Sequence, residues 1–387
     1  MSSASVEDLH RQADAQYAAG RYGEALETFR AASALAPGNP VLLFNIAGAL
    51  RLLGRYAEAN AAYDRVIALD PRFAIAQHNR ASCLLQLGDL RGGFQAFEWR
   101  KSCPGFDDPR YRLPRQWAGQ SLQGQKLFIY PEFFQGDLLQ FGRYALLAEA
   151  AGAAVTLAAP RAMHRILQTM SPRLTLIDEA ETPDDYDVAS ALLSLPAGFG
   201  TTVTSVPQGR YLQAEPERIA HWRSKIGQSG VKVGIVWQGS EASAAPPVPR
   251  AFPLAAAAPL GRVPGVRLIS LQKGLGLDQL AGLPTGMVVE TLGEDFDPGP
   301  DLYLDTAAAI RCCDLVVTMD GSIVHLAGAL GAQTWLAVPQ AADWRWMNDR
   351  ADTPWYPTVR LYRQMAFNDW GGVFAAMARD LRTRVRA

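Results

Sequence analysis

An α-helical solenoid followed by a pair of doubly wound α/β domains is the fold class this sequence predicts, and three observations predict it. Landmark residues recur at a fixed interval over roughly the first hundred positions. A stretch dense in proline, glycine and charge then breaks every period. Beyond it, short continuous apolar runs alternate with stretches of helical spacing to the end of the chain.

The repeat comes first in the chain. Gly20, Gly54 and Gly88 are spaced 34 apart (54 − 20 and 88 − 54), and Pro37 and Pro71 keep the interval. So do Tyr22 and Tyr56, Ala25 and Ala59, and the aromatic series Phe29, Tyr63 and Phe97. A small residue where two helices cross, an aromatic one turn on and a proline closing the second helix describe stacked helical hairpins. The third copy is degenerate, with Gly93 and Arg100 where small or apolar residues are usual. This segment, residues 5–105, resembles the tetratricopeptide repeat (TPR), which implies peptide or protein binding. Two and a half repeats make a short solenoid, and the following domain is expected to cap it. Asn45 and Asn79 are also 34 apart, on the first helix of repeats two and three. Their amides either pair with the N–H and C=O of an extended peptide or bond neighbouring helices.

Lys101 to Gln125 has no sustained period and reads as a domain boundary. From Lys126 the runs are KLFIYP, AAVTLAA, LTLID and DVASALLSLP, then VKVGIVWQG, VRLISLQKG, GMVVETL, CCDLVVTMD, AQTWLAVP and VRLYRQ. Continuous rather than alternating apolarity predicts strands buried on both faces, hence parallel sheets covered by helices. The polar stretch near residues 207–230 separates two clusters of strands. The domains expected are therefore 117–210 and 230–370, with a terminal helix over 371–387.

Length and composition agree with this plan. The 387 residues suffice for two or three domains, and 49% hydrophobic against 19% charged residues is a globular balance. A net charge of −1 gives no global field that favours nucleic acid or an anionic membrane. Cys83, Cys103, Cys312 and Cys313 form no CxxC or Cys/His pattern, and the adjacent pair falls in an apolar run read as strand. Buried thiols of this kind fit a reducing compartment. The opening MSSASVEDLH lacks the charged and apolar regions of a leader, and no window reaches the roughly 18 apolar residues of a membrane span. A cytoplasmic location is expected.

In doubly wound sheets, ligands bind outside the carboxyl ends of strands, so the strand-to-helix turns carry the search for function. Four stand out. In PEFFQGDLLQFGRY, Asp137 is placed either as a first-turn acid favoured by the helix dipole or as a general base, with Glu132, Gln140 and Arg143 near enough to orient it. GIVWQGS ends a strand at Gly239, and Arg250 follows before another helix, as a solvated cation or a phosphate ligand. SLQKG places Gln272 and Lys273 at a strand's end after the largely apolar run VRLISL, which favours a site. MDGSIVHLAGALG joins an apolar strand to a small-residue helix and carries Asp320, Gly321, Ser322 and His325. A helix starting at about Ser322 offers free amides and partial positive charge to an anion. Gly321 admits close backbone approach, and His325 lies one turn in. No His/Cys/Asp cluster has metal spacing. The acidic pairs Asp185/Asp187 and Asp295/Asp297 lie in polar loops and read as turn caps.

Residues from about 117 to 370 resemble TPR-fused bacterial proteins of the heptosyltransferase-like glycosyltransferase group, which have the GT-B fold, a pair of Rossmann-like domains. The resemblance rests on GDLLQFGRY, LLSLP, GIVWQG, SLQKG, DTAAAI, MDGSIVHLAGALGAQTWLAVP, DWRW and PWYPTVRLYRQ. It implies an inverting, metal-independent transferase of hexosyl or heptosyl type, with a nucleotide-diphosphate sugar as donor and no other cofactor. It places the donor diphosphate at Asp320, Gly321, Ser322 and His325, with Ser322 where glycine is usual. It sets Arg250 where a lysine contacts the donor, and it makes Asp137 the acceptor base. The chain departs from the group's EQGxGD pattern at Phe133 and Phe134, which replace a polar residue and a glycine beside that acid. The function expected is sugar transfer to an acceptor recruited by the TPR segment, a protein such as flagellin. Two alternatives are a non-catalytic TPR adaptor, favoured by the Phe133–Phe134 change, and a nucleotide-sugar epimerase or hydrolase.

Overall fold

The computed structural model describes residues 5–239 and 250–386. Ser240 of the GIVWQGS stretch and Ala387 of the expected terminal helix lie outside them. The chain divides into two compact units. One comprises Met1–Tyr111 with Phe199–Ser205 and Ala341–Asp349; the other comprises Arg112–Gly198, Val206–Gln340 and Arg350–Ala387.

The first unit is three helical hairpins: α1 (Val6–Ala18) with α2 (Tyr22–Leu35), α3 (Pro40–Leu52) with α4 (Tyr56–Leu69), and α5 (Ala74–Gln86) with α6 (Leu90–Phe97). Sequence chemistry sets the helix starts. Ser5 accepts the Asp8 amide at α1, and Asn39 accepts that of Val41 ahead of Pro40 at α3. The repeating glycines are the hairpin turns themselves. Gly20, Gly54 and Gly88 hold φ of 74°, 73° and 88°, a left-handed conformation that a side chain disfavours. Ala25, Ala59 and Gly93 are buried where paired helices touch. A Cβ on Gly93 would lie 2.6 Å from Leu85 Cγ, which explains the glycine in the third copy. Segment 341–349 completes the unit. Trp344 packs on Phe94 and Phe97 at 5.6 and 5.9 Å, and the Asn348 amide donates to the Gln86 carbonyl at 3.0 Å. The DWRW residues thus serve as packing within this unit, where Arg345 pairs with Asp343.

The second unit holds two all-parallel sheets. The smaller has the order β3-β2-β1-β4, from β1 (Lys126–Tyr130), β2 (Ala154–Ala159), β3 (Thr175–Asp178) and β4 (Val188–Ala191). The larger has the order β10-β9-β8-β5-β6-β7, from β5 (Val231–Val236), β6 (Val266–Ser270), β7 (Val289–Glu290), β8 (Leu315–Met319), β9 (Thr334–Val338) and β10 (Val359–Arg363). All ten strands fall inside the ten apolar runs. Helices α7 (Gln135–Phe141), α8 (Arg143–Ala150) and α9 (Arg161–Gln168) serve the first sheet. The helices Leu304–Cys312, Ser322–Ala329 and Trp370–Arg386 serve the second, where Phe374 stacks edge-on against Phe252 at 4.7 Å.

Three expectations change. DVASALLSLP is strand only through Ala191, because Leu192–Ser194 turn in a short 3-10 helix. Cys312 is the last residue of the Leu304 helix and Cys313 its cap, not part of β8. Helix end and strand start are equally apolar here, so periodicity cannot mark the join. Of the acidic pairs, Asp297 alone is a cap, accepting the Asp305 and Thr306 amides at the head of the Leu304 helix; Asp187 accepts the Lys126 amide at the start of β1, and Asp185 and Asp295 pair with Lys126 and Lys225.

Candidate functional site

In each sheet the strand order reverses once, between β1 and β4 and between β5 and β8, and a doubly wound sheet takes its ligand at such a point. In the larger sheet the adjacent strands β8, β5 and β6 end in Asp320, in Trp237 to Gly239, and in Gln272 and Lys273. The Phe252 amide donates to the Trp237 carbonyl at 3.1 Å, which brings Arg250 to the same edge. In the smaller sheet β1 runs into Glu132–Asp137. Glu132 Oε2 accepts the Leu193 amide at 2.9 Å, tying this loop to the turn after β4.

The amino ends of α7 and the Ser322 helix meet. A Cβ on Gly136 would lie 3.3 Å from His325 Cδ2 and 3.5 Å from Ser322 Oγ, so glycine there permits the approach. Asp137 follows and is 5% exposed; its Oδ2 accepts the Phe134 amide at 3.3 Å. It is therefore a capping acid at the third helical position. Phe134, at the cap position, has no side-chain oxygen and returns the bond through its backbone carbonyl, which accepts the Asp137 amide at 2.9 Å; the residue is 73% exposed. Gly321 is extended (φ −166°), and a Cβ there would sit 2.8 Å from Met319 Sδ. Asp320 and His325 are buried.

Tyr303 bridges the two helix starts and has no counterpart in the sequence reading. Its hydroxyl donates to Gln135 Oε1 at 2.7 Å and lies within hydrogen-bonding reach of Ser322, while burial raises its pKa above the ordinary phenol value. Its backbone is left-handed at φ 69°, a strained state for tyrosine. The Leu302 amide, bonded to the Ala162 carbonyl at 2.7 Å, helps hold it there.

Arg143 sits behind this junction, in the core. It is 2% exposed, and its hydrogen bonds go to main-chain carbonyls and Tyr211 rather than to Asp137, which it was expected to orient. Its guanidinium donates to the carbonyls of Gln140 (2.8 Å), Pro207 (3.1 Å) and Trp355 (2.6 Å) and to Tyr211 Oη (2.9 Å). It also lies over the Tyr356 ring at 4.5 Å. The Tyr356 hydroxyl is 3.1 Å from His325 Nδ1. One buried cation thus joins α7, the polar crossing segment and the loop before β10. Gln140 is fully buried as well, so its side chain faces the core rather than an acceptor.

Other expected residues are placed differently. Gln272 has no amide capacity left for a donor. Its Oε1 accepts the Trp237 and Gln238 amides, and its Nε2 donates to the carbonyls of Gln238, Lys273 and Leu275. It braces the β5 and β6 ends. Lys273 spends two donors on the Phe296 and Asp297 carbonyls, leaving a third. Asn45 takes the interhelical reading, with Nδ2 2.9 Å from His10 Nε2. Asn79 stays half-buried on α5. A cavity of about 570 Å³ beside α9 is lined by Arg161, His164, Arg165 and Asp301. Its arginines are paired with acids, Arg161 with Asp178 and Arg165 with Glu215, and so offer an anion little net charge. Among the described residues no group of His, Cys, Asp and Glu is placed to hold a metal ion, and no helix is long and apolar enough to cross a membrane.

Residues 10–72 and 44–98 match the tetratricopeptide repeat family, and the first unit's hairpins are such repeats. Protein FlbA of Caulobacter vibrioides is 26% identical over 438 aligned residues, covering 97% of this chain and 73% of FlbA. The Hsp70-Hsp90 organizing protein of Triticum aestivum is 34% identical over 93 residues, 24% of this chain and 16% of that protein. Among solved structures, the Yersinia enterocolitica type III secretion chaperone SycD, in complex with a peptide of the translocator YopD, is 23% identical. It covers 28% of this chain and 84% of its own, with a TM-score of 0.26.

Proposed function

We propose that this protein is a cytoplasmic glycosyltransferase that moves a sugar from a nucleotide-diphosphate donor to an acceptor protein recruited by its tetratricopeptide repeats. The observation that carries the reading is the convergence of the α7 and Ser322 helix starts at Gly136, which puts an acid, an imidazole and helix-end amides in one place. The sequence resemblance to heptosyltransferase-like GT-B enzymes supplies the reaction class.

In this reading Asp137 takes the proton from the acceptor hydroxyl, whose oxygen attacks the anomeric carbon from the face opposite the donor oxygen. The bond from that carbon to the diphosphate breaks, configuration inverts, and negative charge collects on the leaving diphosphate. The first amides of the Ser322 helix meet that charge, together with Arg250 and the remaining Lys273 donor. Fixed donors aimed at developing charge are the largest catalytic effect in many such sites.

A panel of nucleoside diphosphates in thermal unfolding tests the donor half. At a hundredfold excess over Kd a true ligand adds about 2.7 kcal/mol, or roughly 5–10 °C for a domain of this size. A second reading, a non-catalytic adaptor, is favoured by the exposed Phe133 and Phe134 rings beside an acid that is already capped. It predicts no shift with any nucleotide. Turnover of the donor without an acceptor would instead mark an epimerase or hydrolase.

A further inference from the structure

We infer that Tyr303 is a positioning residue: its hydroxyl takes the Ser322 hydrogen and gives its own to Gln135, which holds the start of α7, and Asp137 with it, against the Ser322 helix. The bridge stands on geometry alone; its effect on rate rests on the transferase reading. The backbone of Tyr303 is left-handed, with φ 69° and ψ 6°, a state that glycine or asparagine reaches with little strain and tyrosine does not. The segment is fastened on both sides of it. Asp301 pairs with Arg165, the Leu302 amide donates to the Ala162 carbonyl at 2.7 Å, and the Tyr303 carbonyl accepts the Ala307 amide at 2.8 Å. Strain of this kind persists where the surroundings over-determine it, and it gathers where a particular side chain is needed.

The Tyr303 hydroxyl donates to Gln135 Oε1 at 2.7 Å. A phenol has one hydrogen, so toward Ser322 its oxygen only accepts, and the Ser322 hydroxyl supplies that hydrogen bond. The Ser322 hydrogen therefore points at Tyr303, and the helix start offers an anion its amides rather than this hydroxyl. Gln135 is the first residue of α7 and Ser322 the first of its own helix, so one phenol oxygen ties the two starts together. The backbones there are at contact. A Cβ on Gly136 would lie 3.5 Å from Ser322 Oγ and 3.6 Å from Ser322 Cα. Glycine lets α7 come that close, and Tyr303 keeps it there. Asp137 is next in the chain, so the bridge sets its place relative to the Ser322 helix. An acid that must meet an acceptor hydroxyl in line with a departing diphosphate tolerates little displacement; a misplacement of about 1 Å costs about 100-fold in rate.

Hydrogen exchange on the full-length protein tests the bridge without substrate. Tyr303→Phe and Ser322→Ala should each speed exchange of the α7 amides about fivefold, the loss of one hydrogen bond, and the double variant no further than either alone. Gln135→Ala, at an exposed position with little bearing on folding, repeats the comparison from the other end of the bridge. With donor and acceptor present, Tyr303→Phe should lower the rate at saturating donor about 100-fold and nucleotide affinity only about threefold, a split that a merely structural loss would not give. Unchanged α7 exchange in folded Tyr303→Phe and Gln135→Ala would overturn the inference. So would additive effects of Tyr303→Phe and Ser322→Ala, or losses of rate and affinity in equal proportion. A failed nucleotide panel with the coupled exchange intact would remove the transferase reading and leave the bridge standing.

Discussion

Replacing Arg143 by methionine should be among the most damaging single changes in the second unit. The guanidinium supplies the donors for three buried carbonyls, Gln140, Pro207 and Trp355, and for Tyr211 Oη. A buried acceptor that loses its donor costs about 1–3 kcal/mol. Four such losses at the low end come to about 4 kcal/mol. Against this, methionine no longer requires a charge with no acid partner to be buried, which returns part of the loss. A net destabilisation of about 2–4 kcal/mol follows, or on the order of 5–15 °C in Tm. Arg143→Lys should recover less than half of it, because a single ammonium cannot reach acceptors spread around a planar fork. Thermal unfolding of the full chain followed by circular dichroism measures both variants. A Tm within about 1 °C of the unmodified protein for Arg143→Met would refute the reasoning, since the four acceptors would then have to find other donors at no cost.

Other expectations are open to direct measurement. Gly328→Ala would place a Cβ 2.3 Å from Tyr356 Cδ1 in a closed core. The overpacking of about 1–3 kcal/mol outweighs the roughly 1 kcal/mol gained in helix propensity, so denaturant unfolding should show a loss. Tyr303→Phe removes the hydroxyl shared by Gln135 and Ser322, and should shrink a nucleotide-induced thermal shift while changing basal stability by only about 1 kcal/mol. His78, against Phe97 and Phe106, has its pKa lowered to about 4 from 6.5, first by burial and then by Arg100 and Arg51. Protonation therefore favours the unfolded state. This contribution is complete above about pH 6.5 and is lost as pH falls toward 4, on the order of 2–3 kcal/mol. Unfolding of the repeats measured across that window should be steeper in the unmodified protein than in His78→Phe.

The sequence revealed the strands and the repeat turns because their causes are local. Continuous apolar runs need burial on both faces, and Gly20, Gly54 and Gly88 sit where a left-handed turn is required. The turns at Asp137 and Ser322 were legible for the same reason: strand-to-helix joins announce themselves in composition. What joins those turns was not. Tyr303, Tyr211 and Tyr356 act through partners far away in the chain, and a lone tyrosine in a loop carries no periodicity. Tyr356 does lie within PWYPTVRLYRQ, one of the stretches that carry the family resemblance, but that match does not say what the tyrosine holds. Arg143 reads in the sequence as a neighbour able to orient Asp137, and only the fold shows its head turned into carbonyls. Gln272 misled for a related reason, since a polar residue at a strand end can brace backbone as readily as bind a ligand.

The most direct test of the central claim is transfer itself. The full chain is incubated with a panel of nucleotide-diphosphate sugars and candidate acceptor proteins, flagellins among them, and the acceptor's intact mass is read. The account predicts a gain of one or more sugar masses with one donor class, reduced on the order of 100-fold or more in rate in Asp137→Asn. An Asp137→Asn variant that transfers as fast as the unmodified protein, or an acceptor left at its starting mass by every donor, would contradict it.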